Sequence, residues 1–132
     1  MTAVRKKNLS TLFIELQKSY PLELHLVHFK SDYGKTLTQA LTSSNPIKND
    51  TLAVLGIMFQ VEEFDNPTID KLVKNFDKIK FKGDETTLRA PFDLKDLLPR
   101  NTDGFYRYAG SLTTPGCNEV VVWTVFKVKR HS

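Results

Sequence analysis

The sequence predicts a mainly β fold of the α+β class, with a sheet built from four strand candidates, one main helix and several short ones. Three observations carry this. Residues 22–29, Leu-Glu-Leu-His-Leu-Val-His-Phe, alternate along an extended chain, placing Glu23, His25, Val27 and Phe29 on one face and Leu24, Leu26 and His28 on the other. Residues 51–61 are largely apolar on both faces, the pattern of a strand buried inside a sheet. A single helix-length apolar stripe follows, opened by Asn66-Pro67. At 132 residues with 40% hydrophobic content, the chain has the length of about one small domain and can bury a core.

Each element has a local reason. Leu9, Leu12, Phe13 and Leu16 have helical spacing, and Ser10 is a candidate cap. The strand at 22–29 ends at a turn over Ser31-Asp32-Tyr33-Gly34, and a short helical or irregular piece runs from Thr36 to Leu41. Ser43, Ser44, Asn45 and Pro46 are loop residues. In the second strand Ala53, Leu55, Ile57 and Phe59 share one face, and Leu52, Val54, Gly56 and Met58 the other. Ile69, Leu72, Val73, Phe76 and Ile79 form the stripe of the main helix, which Gly83 ends. Phe92, Leu94, Leu97 and Leu98 make a turn closed by Pro99. Residues 105–108 and 119–126 are the last two strands, and the turn between them contains Thr113, Thr114, Pro115 and Gly116.

Bulk charge excludes little but weights the classes. The net charge is +4 and the pI about 9.2. Lys78, Lys80 and Lys82 alternate with Ile79 and Phe81, the pattern of a solvated face as well as of an anion-facing one. No nucleic-acid motif stands out, and no apolar run approaches the ~18 residues of a membrane span. Glu15 interrupts the apolar stretch after Arg5, Lys6 and Lys7, so a signal peptide is not expected, and a cytoplasmic chain is. Cys117 is the only cysteine, which excludes an internal disulfide.

Glu-Leu-His-Leu-Val-His at 23–28 and Tyr-Ala-Gly-Ser-Leu-Thr-Thr-Pro-Gly-Cys-Asn-Glu-Val-Val-Val-Trp-Thr-Val-Phe at 108–126 closely resemble the α-class carbonic anhydrases. Leu-Ala-Val-Leu-Gly-Ile at 52–57 and Asp-Leu-Leu-Pro at 96–99 fall in the same order. The resemblance divides the chain into an unmatched segment at 1–19, a partial domain at 20–128 and a tail at 129–132. It implies a truncated, mostly antiparallel sheet and the family's zinc-dependent, reversible hydration of carbon dioxide to bicarbonate. Secreted members carry a cysteine after the Thr-Thr-Pro turn, so Cys117 hints at secreted ancestry.

By resemblance, His25 corresponds to one of three zinc-holding histidines and Glu23 to its outer carboxylate, which fixes the ring tautomer and raises its basicity. Thr113 corresponds to the hydroxyl that orients the attacking oxygen, with Thr114 beside it. Val27, Val54, Leu112, Val121 and Trp123 correspond to the apolar wall that receives carbon dioxide. Taken alone, residues 20–29 also fit a core strand with two satisfied histidines, the threonines also fit a turn, and the apolar positions also fit a core. His28, at odd spacing from His25, faces the other way and reads as a core histidine. His131 lies beside the chain end.

The resemblance is incomplete at its chemical centre. The chain has three histidines and no His-x-His, whereas the family takes two more zinc ligands from such a strand. A catalytic zinc keeps three protein ligands and an open position, so a complete Zn2+ site is not expected here, and the chain alone is expected to be inactive. Three further readings are compatible: a non-catalytic binding or regulatory module, a chain complemented by another that supplies the missing histidines, and a fragment with no independent function. Exposed sheet edges would also favour self-association.

Overall fold

A computed structural model of the protein describes residues 19–43, 49–88 and 93–128. The expected N-terminal helix, Phe92 and His131 lie outside them, as does the loop at 44–46. The chain divides into two units, residues 1–60 with 101–132, and residues 61–100.

The first unit is a four-stranded sheet. Its strands are β1 (Leu22–Phe29), β2 (Leu52–Phe59), β3 (Phe105–Gly110) and β4 (Val121–Phe126), in the spatial order β1-β2-β4-β3. β1 runs antiparallel to β2, β2 parallel to β4, and β3 antiparallel to β4. The sheet is thus mostly antiparallel, with one parallel pairing at its centre. The doubly apolar β2 is an inner strand, as its pattern predicts. The last two strands differ from expectation at their ends: β3 continues to Gly110 and β4 begins at Val121.

Register decides which side chains meet. Paired residues share a face, so His25, Gly56, Val125 and Tyr106 lie in one row, and Val27, Val54, Trp123 and Tyr108 in the next. This face carries the main core of Leu52, Val54, Val121, Trp123 and Val125. Leu41 packs against it from α1 (Leu37–Thr42), where Ala40 is buried. Thr36 opens α1, its hydroxyl accepting from the Gln39 amide. On the opposite face Ile57, Thr124 and Phe126 are buried, and the Thr124 hydroxyl accepts from Arg107 Nε.

His28 corrects one expectation, for it is exposed rather than in the core. β1 borders the sheet, and its Leu24 and Leu26 are only half-buried, so the face they share with His28 is a margin.

A polar clamp holds the β1–β2 connection. Asp50 accepts from Lys30 Nζ at 3.1 Å and from the Tyr33 hydroxyl at 3.0 Å. The Lys30 amide donates to the Thr51 carbonyl, tying the end of β1 to the start of β2.

The second unit holds α2 (Pro67–Val73), which packs against a 3₁₀ turn at Leu94–Leu97 whose Leu97 is buried. Asn66 caps α2, its Oδ1 accepting from the amides of Thr68 and Ile69. The apolar stripe runs past the helix, which ends at Val73 and gives way to a 3₁₀ turn at Phe76–Lys78. Phe76 and Ile79 are exposed, so no burial extends the helix to them. Lys78, Lys80 and Lys82 are exposed, in keeping with a solvated face.

Candidate metal centre on the sheet

Alternation along β1 brings Glu23 and His25 to the same face, where Glu23 Oε1 lies 2.6 Å from His25 Nε2. A carboxylate only accepts, so in the neutral ring Nε2 carries the proton and donates. The Nδ1 lone pair is then the atom left for a metal ion or another donor. The pair is partly screened: the side chains keep 31% of their surface for His25 and 43% for Glu23.

The imidazole meets the indole of Trp123 edge to face, with ring centroids 4.8 Å apart and planes at 74°. Trp123 donates through Nε1 to the Ser111 carbonyl at 3.0 Å and stacks parallel to Tyr108 at 6.4 Å. Burial, and next the charge of Glu23, push the Tyr108 phenol above its ordinary pKa.

The apolar positions sort by depth. Val54, Val121 and Trp123 are buried members of the main core, and Leu112 packs against that core half-buried. Val27 pairs with Val54 but keeps 47% exposure, because β1 lies at the sheet border. Thr113 and Thr114 are exposed on the β3–β4 loop, next along the chain from Leu112. The Thr114 carbonyl accepts from the Cys117 amide, in a turn where Gly116 and Cys117 both have positive φ. Leu112 closes the loop by donating its amide to the Asn118 carbonyl.

The fold thus gathers Glu23, His25, Val54, Val121 and Trp123, with Leu112 at their margin. Gly56, Tyr108, Gly110 and Ser111 complete the cluster without being among the residues the sequence points to. One signal was present, since a glycine inside the apolar run Leu-Ala-Val-Leu-Gly-Ile marks a close approach. The other contacts depend on strand order.

As a donor set, the cluster is one imidazole with its carboxylate. Among the described residues, no three His, Cys, Asp or Glu side chains gather where they could hold a metal ion. A catalytic zinc takes three protein ligands, so these residues fit one arm of such a site and not the whole.

Comparison with known proteins shows the family. The family model for eukaryotic-type carbonic anhydrase matches residues 14–131. Human carbonic anhydrase 12 is 43% identical over 108 residues, covering 82% of this chain and 28% of that protein. Putative carbonic anhydrase 5 of Caenorhabditis elegans is 40% identical over 109 residues, covering 80% of this chain and 32% of that protein. Carbonic anhydrase 4 of Mus musculus is 37% identical over 118 residues, covering 86% and 35%. The chain therefore spans about a third of the length of these curated relatives. The ordered motifs, the Glu23–His25 pair on its strand and the match over most of its length agree: the chain belongs to the eukaryotic-type carbonic anhydrase family.

Proposed function

We propose that this chain supplies the central to C-terminal part of a carbonic anhydrase domain, acting in zinc-dependent, reversible hydration of carbon dioxide. The observation that carries this reading is the 2.6 Å contact between Glu23 and His25 Nε2. In the neutral ring, the form a metal ligand takes, it leaves Nδ1 as the donor. When bound in a full ligand set, zinc supplies Lewis-acid chemistry and lowers the pKa of water to about 7.

The chain's own residues do the rest of the preparation. Glu23 holds the proton on Nε2 and so keeps the ring in one tautomer. Val54, Val121 and Trp123, the residues assigned to the apolar wall, are buried in the core, and Trp123 meets the ring. Thr113 is the hydroxyl assigned to orient the attacking oxygen, and Thr114 lies beside the substrate. Val27 and Leu112 border the wall.

By itself the 132-residue chain is inactive in this reading, because one imidazole leaves zinc mostly hydrated. Calorimetric titration of the purified chain with zinc tests it, with His25→Ala as control. The expected result is weak binding and no carbon dioxide hydration. Tight one-to-one binding that disappears in His25→Ala would overturn the reading. Hydration that appears only on adding a chain with further imidazoles would support completion from outside, for which β1, bearing His25 at the sheet border, is placed.

A further inference from the structure

We propose that Trp123 is a positioning residue for His25, and that Gly56 is the gap that lets it act. This deepens the reading of His25 as a donor and gives Trp123 a role beyond lining the wall. A single hydrogen bond from Glu23 fixes one ring nitrogen but leaves the plane of the imidazole free to turn. A second contact is needed to set the direction of Nδ1, and the indole supplies it edge to face at 4.8 Å.

The contact is unusual in its reach. His25 lies on β1 and Trp123 on β4, with β2 between them, so their backbones are about 10 Å apart at ordinary strand spacing. The rings can meet only above β2. The residue paired with His25 there is Gly56. A Cβ at that position would lie 3.3 Å from Val125 Cγ2, 3.7 Å from Trp123 Cζ3 and 3.8 Å from Glu23 Oε1. Anything larger than a methyl would occupy the space in which Glu23, His25 and Trp123 converge.

Trp123 is itself well fixed, as a positioning group must be. Ser111 holds its Nε1, Tyr108 stacks on it, and Gly110 leaves room for it, since a Cβ there would lie 3.0 Å from Cδ1. The indole is 4% exposed. The orientation of an edge-strand histidine is thus tied to a buried residue of the core.

The test uses the metal-free 132-residue chain with ¹⁵N-labelled histidine, at about pH 8.5, where an ordinary imidazole is neutral. Nitrogen shifts report the tautomer of each ring, and His28, exposed on the opposite face, is the internal reference. His25 is expected almost wholly in the Nε2–H form. A ring free to turn holds the Glu23 bond for less of the time, so Trp123→Leu, which keeps bulk but removes the aromatic ring, is expected to move the His25 tautomer ratio several-fold toward that of His28. Trp123→Phe should restore the wild-type ratio, a rescue that a purely structural role does not predict. Gly56→Val should act like Trp123→Leu. A folded Trp123→Leu or Gly56→Val protein with the wild-type ratio would overturn the proposal. So would a wild-type chain without nuclear Overhauser contacts between the His25 and Trp123 rings, a measurement that needs no variant to fold. Zinc titration is a separate readout, so failure of the donor reading and failure of the positioning role can be told apart.

Discussion

Val121 and Val27 carry the same side chain and the same expected role, yet the fold separates them, and truncating each to alanine measures by how much. Val121 is fully buried in the main core, whereas Val27 keeps 47% exposure at the sheet border. Each change removes two carbons. At about 0.8 kcal/mol per buried carbon, Val121→Ala loses about 1.6 kcal/mol of transfer free energy. The cavity left in an enclosed core raises the cost to about 2–3 kcal/mol. Val27→Ala should cost under about 1 kcal/mol, since half the side chain already meets water and no closed cavity forms. Urea unfolding followed by fluorescence of Trp123, the single tryptophan, reads both variants from within the affected core. With a slope of roughly 1–3 kcal/mol per molar, the two midpoints should differ by about 1 M. Equal costs would refute the assignment of the core to the His25 face and of β1 to the border.

Two further outcomes follow from polar contacts. Hydrogen bonds from Lys30 and then Tyr33 hold the Asp50 carboxyl below its ordinary value of 3.8. The stability this gives is present above about pH 4 and lost as pH falls through the lower folded value. Asp50→Asn should therefore lower the urea midpoint at pH 7, and the difference from wild type should vanish in acid. Asp50 in turn raises Lys30 above 10.5, so the clamp's contribution from that side persists to 10.5 and fades above it. In the second unit, Asn66→Ala removes the acceptor for the Thr68 and Ile69 amides. The expected cost is about 1 kcal/mol of local stability, seen as roughly fivefold faster hydrogen exchange at those two amides.

Local rules carried far in this chain. Alternation at 22–29 placed Glu23 and His25 on one face, and the structure adds the bond between them. The doubly apolar run at 51–61 identified an inner strand, observed over Leu52–Phe59, and Asn66-Pro67 marked a helix start with its cap. The same rules overextended the helix toward Ile79, because an apolar stripe says which residues would face a core and not whether a core is there. His28 is the matching case on β1, where period two gives the face correctly and burial depends on what packs over it.

The sequence by itself determined the family, the four strands and the shared face of Glu23 and His25, because those rest on residue identity and on periods of a few residues. Strand order was the part only the tertiary structure decided. It set β1 at the border and β4 two strands away, and so brought His25 to Trp123 above Gly56. The physical reason is that pairing between segments some seventy residues or more apart leaves no periodic trace in either one. The register between them is fixed by packing, as here around the indole and the missing side chain of a glycine.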